Sequence, residues 1–133
     1  MAFSQSIDVR FADLDALGHV NHATFVTYLE CARVGWWAKL LAGRPFQEEG
    51  FVVARVELDY RKPILLGDAV RVDLRCSHQG TTSFSLAYKV VRATDNVVLA
   101  EGQTVQVMMD FATGRPKPLR PETQAWLRSQ EQA

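Results

Sequence analysis

The sequence predicts an α+β fold in which a curved antiparallel sheet of about five strands wraps around one long central helix. Residues 22–42 have helical periodicity and are apolar on most sides, so this helix should be enclosed by the rest of the chain. Five other segments alternate apolar and polar residues, and the short connections between the last four favour antiparallel neighbours. Because one helix cannot cover both faces of a five-stranded sheet, wrapping the sheet around it is the economical solution.

The first half of the chain predicts one strand and then the helix. Apolar and polar residues alternate over residues 7–11, which is the period of a half-buried strand. After a polar loop, Asn21 is expected to cap the helix, and Gly43 is expected to end it. The apolar side chains at steps of three and four, which we expect in the core, are Phe25, Tyr28, Leu29, Ala32, Trp36 and Leu40. Cys31 and Trp37 are also expected to pack inside.

The second half predicts four strands and a short terminal helix. The strands are expected over residues 52–60, 70–76, 84–90 and 97–109. We expect a bulge at Gly102 and a last helix that starts at Pro121. The 133 residues suit one domain, residues 1–133. Because the sheet keeps a free edge and an uncovered face, we expect a homodimer or a homotetramer.

Composition excludes several classes of function. Lys and Arg number 15 and so do Asp and Glu, which argues against a nucleic-acid partner and against a polybasic membrane anchor. No apolar run approaches the roughly 18 residues of a membrane helix, and the first residues do not resemble a signal peptide. Cys31 and Cys76 are isolated, which is typical of reduced core residues. We therefore expect a cytoplasmic protein that does not bind membranes.

One short segment concentrates the groups that can carry chemistry. Asp13, Asp15, His19, Asn21 and His22 lie within ten residues, between the first strand and the helix. A helix N-terminus offers free N–H groups and a partial positive charge, which polarise a carbonyl group. A carboxylate in the preceding loop can face the same place. That pairing is the minimum apparatus for acyl transfer.

The same segment resembles the signature of the hotdog-fold acyl-CoA thioesterases, in particular the 4-hydroxybenzoyl-CoA thioesterase-like family. In that family a strand ends in D-x-D-x-x-G-H/I-V-N/x, and the central helix follows, often with E-x-A-R. Here residues 13–22 read DLDALGHVNH and residues 30–33 read ECAR. A weaker match is YRKP at 60–63, followed by GD at 67–68. The resemblance spans most of the chain and implies a hotdog fold, acyl-CoA thioesterase activity and a site at a dimer interface.

The resemblance also assigns roles by position. The second aspartate of the motif is the catalytic carboxylate, hence Asp15, and the N–H that receives the thioester oxygen lies at the helix start, at Asn21 and His22. Gly18 permits the tight loop. His19 orients the loop or the substrate.

The residues leave the mechanism open between two routes. An aspartate with an ordinary pKa of about 3.9 is charged at neutral pH, so Asp15 can attack the thioester directly and form a mixed anhydride. Alternatively it steers a water molecule as a general base. Asp13 is assigned a structural role, because an aspartate at a strand end satisfies turn amides.

CoA itself requires groups that bind phosphate. Arg61 and Lys62 are the expected cations at a strand end, and Thr82 and Ser83 are expected to form hydrogen bonds near the thioester. The 4-hydroxybenzoyl branch carries consecutive basic residues before the S-F of this turn. Residues 79–84 read QGTTSF, so that branch's CoA clamp and its aromatic substrate are not expected.

No metal and no cofactor are expected. His19 and His22 form an HxxH pair, but no third ligand follows at a metal-site spacing. The chain has no G-x-S-x-G, which excludes a serine hydrolase of that type. Two alternatives to a thioesterase remain: a hydratase or dehydratase of acyl thioesters, whose usual motifs are absent, and a non-catalytic acyl-CoA-binding domain.

Overall fold

A computed structural model describes residues 3–131, and it confirms a curved antiparallel sheet around one long helix. Short 3₁₀ turns lie at Phe11–Asp13 and Phe46–Glu49. The strands and helices, in chain order, are β1 (Phe3–Ile7), α1 (His22–Leu41), β2 (Phe51–Tyr60), β3 (Val70–Gln79), β4 (Ser83–Arg92), β5 (Val97–Asp110), β6 (Arg115–Pro116) and α2 (Pro121–Ser129).

The five long strands follow the order β1-β3-β4-β5-β2, and all neighbours are antiparallel. The two-residue strand β6 pairs with the end of β5. Strands β1 and β2 are therefore the two edges of the long sheet. No helix in residues 3–131 is long and apolar enough to cross a membrane.

The first strand lies earlier than the alternation predicted. We expected it over residues 7–11, whereas β1 pairs with β3 from Phe3 opposite Leu74 to Ile7 opposite Val70. The chain leaves the sheet after Ile7 because the carboxylate of Asp13 draws the backbone N–H of Arg10 into a 3₁₀ turn. The prediction was wrong because this local polar contact outweighs a short alternating pattern.

The core fills the space between α1 and the inner face of the sheet. Trp36 and Trp37 are fully buried as predicted, and the Trp37 ring stacks on Phe84 with 5.3 Å between centroids. Helix α1 packs closely on β1 and β3, and far less on β2. The helix is thus not enclosed on every side. Cys31, expected inside, is exposed.

Gly102 does not form a bulge. It lies opposite Leu58 in a regular stretch of the β2–β5 pairing, while the register shifts occur between Val53 and Arg55 and between Val90 and Val91. A Cβ atom at position 102 would lie 2.0 Å from the carbonyl oxygen of Glu57. The absence of a side chain lets the two backbones approach.

The buried carboxylate of Glu49 binds the segment of the chain that follows β5. Glu49 accepts a hydrogen bond from Arg120 Nε at 3.0 Å and another from the hydroxyl of Thr123, and Lys117 Nζ lies 3.6 Å away. Helix α2 starts at Pro121 as predicted. The result is a fixed turn ahead of β2, at the end of α1 opposite its N-terminus.

Candidate active site

A tight turn places Asp15 just ahead of the central helix. The N–H of Gly18 donates to the carbonyl oxygen of Asp15 at 3.0 Å, and the N–H of Asp15 donates to the carbonyl oxygen of His19 at 2.7 Å. Gly18 adopts φ +79°, which favours glycine at this position. Leu14 and Val20 pair across the base of the turn. These contacts bring Asp15 and His19 side by side.

The carboxylate of Asp15 is oriented by its own turn and open to solvent. Its Oδ1 accepts hydrogen bonds from the N–H of Leu17 at 2.9 Å and from the N–H of His19 at 3.3 Å. Within residues 3–131 its Oδ2 has no hydrogen-bond donor. One oxygen is therefore fixed by the backbone, and the other is available for chemistry.

Asp13 has a structural role, as the sequence predicted. It is 3% exposed and accepts hydrogen bonds from the N–H and the guanidinium of Arg10 and from the hydroxyl of Tyr28 at 2.7 Å. Burial raises the pKa of this carboxyl, but the hydrogen bonds from Tyr28 and Arg10 outweigh it, and the net pKa is lowered. Burial and the bond to Asp13 raise the pKa of Tyr28.

Asp13 also connects the loop to the start of the helix. The carbonyl oxygen of Asp13 accepts the N–H of Asn21 at 2.8 Å. Asn21 caps the helix as predicted, since its Oδ1 accepts the N–H of Ala23 at 2.9 Å, and its carbonyl oxygen accepts the N–H of Thr24 at 2.9 Å. Within residues 3–131 the N–H of His22 has no acceptor. It is thus the free donor at the helix start.

Tyr60 is a site residue to which the sequence analysis gave no role. Its hydroxyl donates to the carbonyl oxygen of His22 at 2.7 Å, and its ring packs edge-on against Phe25. Burial raises the pKa of this phenol. The YRKP match contains Tyr60, but only its two cations, Arg61 and Lys62, were assigned a role. The backbone just before the helix is held by a second contact, because the N–H of Val20 donates to the carbonyl oxygen of Ile64.

Two of the predicted CoA-binding residues follow Tyr60 directly. Arg61 and Lys62 are exposed, and the N–H groups of both donate to the carbonyl oxygen of Leu99. The guanidinium of Arg61 lies within 3.6 Å of Glu101 and 3.7 Å of Asp59, on the outer side of the sheet. The structure therefore places both cations at the same end of β2 as the helix start.

Thr82 and Ser83 lie at the other end of the sheet. Ser83 pairs with Val107, which in turn pairs with Val52, eight residues along β2 from Tyr60. Eight strand residues span roughly 26 Å. One chain does not bring these two residues to Asp15, and their predicted contact with the thioester requires a second copy of the chain.

The part of the chain described holds no group of three His, Cys, Asp or Glu side chains arranged to bind a metal ion. The HxxH pair is divided between the turn and the helix: His19 lies beside Asp15, whereas the ring of His22 faces Tyr60 edge-on. The groups that the turn and the helix bring together are the carboxylate of Asp15 and the first N–H of α1.

Comparison with known proteins gives a consistent family match. Residues 9–127 match the model of the thioesterase-like superfamily. Among curated proteins, an acyl-CoA thioester hydrolase, YbgC, from Escherichia coli O6:H1 is 27% identical over 124 residues, which cover 88% of this chain and 89% of the relative.

Solved structures show the same fold. A thioesterase from Thermus thermophilus, complexed with coenzyme A and Zn, is 39% identical with a TM-score of 0.84, and the alignment covers 94% of this chain and 96% of that one. A predicted thioesterase from Bacillus stearothermophilus is 27% identical with a TM-score of 0.91, over 99% and 98% of the two chains. These matches confirm the expected hotdog fold and indicate a thioester hydrolase.

Proposed function

Because this chain belongs to the thioesterase-like superfamily, we propose that it hydrolyses acyl-CoA thioesters to a free acid and CoA, with Asp15 as the catalytic carboxylate. The supporting observation is the pairing of a carboxylate that has one free oxygen with a helix start whose first N–H is unoccupied within residues 3–131. In this arrangement the N–H of His22 polarises the thioester carbonyl. Asn21 shapes the helix start, and His19 holds the carboxylate through its N–H.

Two routes for the carboxylate are compatible with this geometry. In the first, Oδ2 of Asp15 forms a bond to the carbonyl carbon, the C–S bond breaks, and the CoA thiolate leaves. Water then cleaves the mixed anhydride and restores the carboxylate. In the second, Asp15 takes a proton from a water molecule whose oxygen bonds to the carbonyl carbon. The C–S bond then breaks, CoA leaves as its thiolate, and the proton passes from Asp15 to that thiolate. Stabilising the oxyanion at the helix start lowers the barrier of either route, typically by about 3–4 kcal/mol for one donor.

The surroundings of the turn suit a thioester with an apolar acyl group and a phosphate-bearing carrier. Large apolar side chains are exposed around it: Phe11, Leu17, Leu65 and Leu66. Arg61 and Lys62, at the adjacent end of β2, supply the cations for the CoA phosphates. The proposed substrate is therefore an acyl-CoA, bound with its carrier toward the end of β2.

We also propose that the working unit is a homodimer or homotetramer joined through β2. This edge strand is ten residues long and exposes Val52, Val53, Val56 and Tyr60. An exposed apolar edge readily pairs with another strand. Antiparallel pairing of two β2 strands about Val56 would set Tyr60 of one copy opposite Val52 of the other. Thr82 and Ser83 of the second copy would then lie near the first copy's Asp15.

A cytoplasmic location belongs to the same proposal. Cys31 and Cys76 are free in the part of the chain described, which suits a reducing compartment. We treat residues 1–133 as one catalytic domain that needs neither a metal nor a cofactor.

Thiol release from a panel of acyl-CoAs tests the proposal. Aliphatic and aromatic acyl-CoAs of several lengths are incubated with the purified protein, and free CoA is measured with a thiol reagent while the acid is identified by mass spectrometry. We expect stoichiometric CoA and acid from at least one thioester. Tight acyl-CoA binding without CoA release would instead indicate a binding domain, and addition of water to an enoyl-CoA without CoA release would indicate a hydratase.

Single-turnover hydrolysis in ¹⁸O-labelled water tests for the anhydride route. If water cleaves the anhydride at the aspartyl carbon, the label enters the peptide that contains Asp15. If water attacks the substrate directly, or cleaves the anhydride at its acyl carbon, the label appears only in the acid, and trapping the anhydride with hydroxylamine then distinguishes these two cases.

A further inference from the structure

Glu30 and Arg33, in the middle of α1, have no charged partner within residues 3–131. Glu30 is exposed, whereas Arg33 is only 7% exposed. They are three positions apart, a spacing at which opposite charges on a helix can pair, yet they do not pair with each other. Because an unpaired buried charge is costly, the guanidinium of Arg33 requires an anion from outside the single chain.

The guanidinium of Arg33 is held in place by a buried polar group. Its Nη1 donates to the hydroxyl of Tyr88 at 3.1 Å, and that hydroxyl is also hydrogen-bonded to the hydroxyl of Thr104 at 2.7 Å. Tyr88 and Thr104 are buried on β4 and β5. A guanidinium has five N–H donors, so most of them remain available to an anion.

The side of α1 that carries the two charges faces the free edge at β2. A Cβ atom on Gly35 would touch the side chain of Gln5, so the opposite side of the helix faces β1. Glu30 and Arg33 instead border an open space of about 560 Å³ together with residues 51–53 of β2. The exposed apolar side chains around this space are Val34, Phe46, Val52, Val53 and Phe111. The space is open in one copy of the chain, and the proposed second copy would cover it.

Glu49 borders the same space but is not the missing anion. Its carboxylate lies more than 4 Å from the guanidinium of Arg33. Its Oε2 accepts a hydrogen bond from Arg120, and Lys117 Nζ lies 3.6 Å from its Oε1. Two cations therefore already balance its charge.

Contacts between α1 and β2 show which part of the helix lies closest to the proposed dimer axis. The hydroxyl of Tyr60 binds the carbonyl oxygen of His22, and the rings of Phe51 and Trp37 are 5.0 Å apart. These two contacts align one end of β2 with the start of α1 and the other end with its last turns. Val56, the proposed centre of the strand pairing, lies near the middle of that stretch. The nearest part of α1 is therefore its middle, which carries the two charges.

Twofold symmetry then places opposite charges against each other. An axis that makes the two β2 strands antiparallel also reverses the direction of the second α1. Glu30 and Arg33 are about 4.5 Å apart along the helix and lie close to this axis. In a twofold interface each contact occurs twice, with the two partners exchanged. Arg33 of one copy thus lies opposite Glu30 of the other, and the reciprocal contact forms at the same time.

We infer that Glu30 of a second copy supplies the anion for Arg33, so that two reciprocal ion pairs between the α1 helices fix the register of the homodimer. This inference rests on the homodimer in the proposed function, and it adds the helix contact and the groups that align it. A buried ion pair is well suited to fixing register, because a shifted pairing would leave both charges buried without a partner.

Charge reversal tests the pairing, with the dimer dissociation constant measured by fluorescence-detected sedimentation. Glu30→Arg and Arg33→Glu each put like charges at both contacts, so each variant alone should raise the Kd at least roughly 100-fold. In an equimolar mixture of the two variants, the mixed dimer has opposite charges at both contacts, and its Kd should return close to the wild-type value. Lys39→Glu is the matched control, because Lys39 lies on the side of α1 that faces β1, 5.6 Å from the ring centroid of Phe3, and it should leave the Kd unchanged.

The mixture distinguishes a contact between copies from an ion pair within one helix. If the pair formed within one helix, the double variant Glu30→Arg/Arg33→Glu would recover the dimer but the mixture would not, and the inference would be overturned. Wild-type association by Glu30→Arg would overturn it as well, while the homodimer through β2 would stand. Because Glu30 is exposed, its variant should fold, which circular dichroism checks, and it decides the matter even if Arg33→Glu unfolds.

Failure of the assembly and failure of the activity have different signatures. A wild type that stays monomeric at every concentration would overturn both the inference and the proposed homodimer. Thioester hydrolysis is scored separately by thiol release. If no thioester is hydrolysed while the mixture still recovers the dimer, the proposed activity fails and the pairing of Glu30 with Arg33 stands.

Discussion

Removing the hydroxyl of Tyr28 should reveal how strongly the site loop depends on Asp13. The Tyr28→Phe change deletes a 2.7 Å hydrogen bond to a carboxylate that is 3% exposed. A hydrogen bond to a charged group contributes about 1.5–3 kcal/mol, and little water can replace it here. We therefore expect the free energy of unfolding to fall by about 1.5–3 kcal/mol at pH 7, measured by urea denaturation.

Tyr60→Phe is the matched control, because it also deletes a 2.7 Å hydrogen bond of a tyrosine hydroxyl, but one that is exposed and joined to a backbone carbonyl. We expect it to cost about 0.5–1.5 kcal/mol. Equal losses in the two variants, or a loss below about 0.5 kcal/mol in Tyr28→Phe, would refute the reasoning.

The stability difference between wild type and Tyr28→Phe should also depend on pH. The net pKa of Asp13 is lowered in the folded state, so its contribution to stability is present above its ordinary value and is lost as the pH falls through the folded pKa. Tyr28→Phe removes one of the bonds that lower this pKa. The stability difference between wild type and Tyr28→Phe should therefore narrow below about pH 4. A constant difference down to about pH 3 would contradict this.

Three further changes test other parts of the structure. Asn21→Ala removes the side-chain acceptor of the Ala23 N–H and should cost about 1 kcal/mol by urea denaturation, with Asn21→Asp close to wild type. Gly102→Ala should lower the free energy of unfolding by about 2–4 kcal/mol, because the added Cβ would collide with the carbonyl group of Glu57. A free energy of unfolding close to that of the wild type would contradict the close approach of the two backbones. Burial raises the pKa of the Cys76 thiol to about 11, so its stabilising contribution is complete below the ordinary value and is lost as the pH rises to about 11. Relative to Cys76→Ala, the free energy of unfolding of the wild type should fall by up to about 1.4 kcal/mol per pH unit over that range. If the free energies of the two proteins changed in parallel with pH, this would argue against a buried thiol.

Helices and strands with a long periodic pattern of apolar residues were predictable from the sequence. The helix was expected from residue 22 to 42 and is found at His22–Leu41, because twenty residues of periodicity and a capping Asn21 agree. The four later strands also lie where alternation placed them. The first strand was misplaced because five residues of alternation carry little information, and the position is set by pairing with β3.

The candidate site was predictable only as far as local contacts build it. The turn from Asp15 to His19 and the helix cap are formed within ten residues, so spacing in the sequence reflects them. Arg33 was noted as part of the ECAR match, but its contact with Tyr88 could not be predicted, because that residue lies 55 positions away in the chain. The distance of Thr82 and Ser83 from Asp15 likewise depends on strand order, which no local pattern specifies.

The most direct test of the account is the rate of thioester hydrolysis by Asp15→Asn. This substitution keeps an oxygen that can accept the N–H groups of Leu17 and His19, but it removes the charge. With the best acyl-CoA of the panel, we predict that kcat/KM falls at least about 100-fold while the urea midpoint stays close to wild type. Asp8→Asn, exposed just after β1, should retain the wild-type rate. Wild-type turnover by a folded Asp15→Asn protein would show that the carboxylate at position 15 does not carry the chemistry.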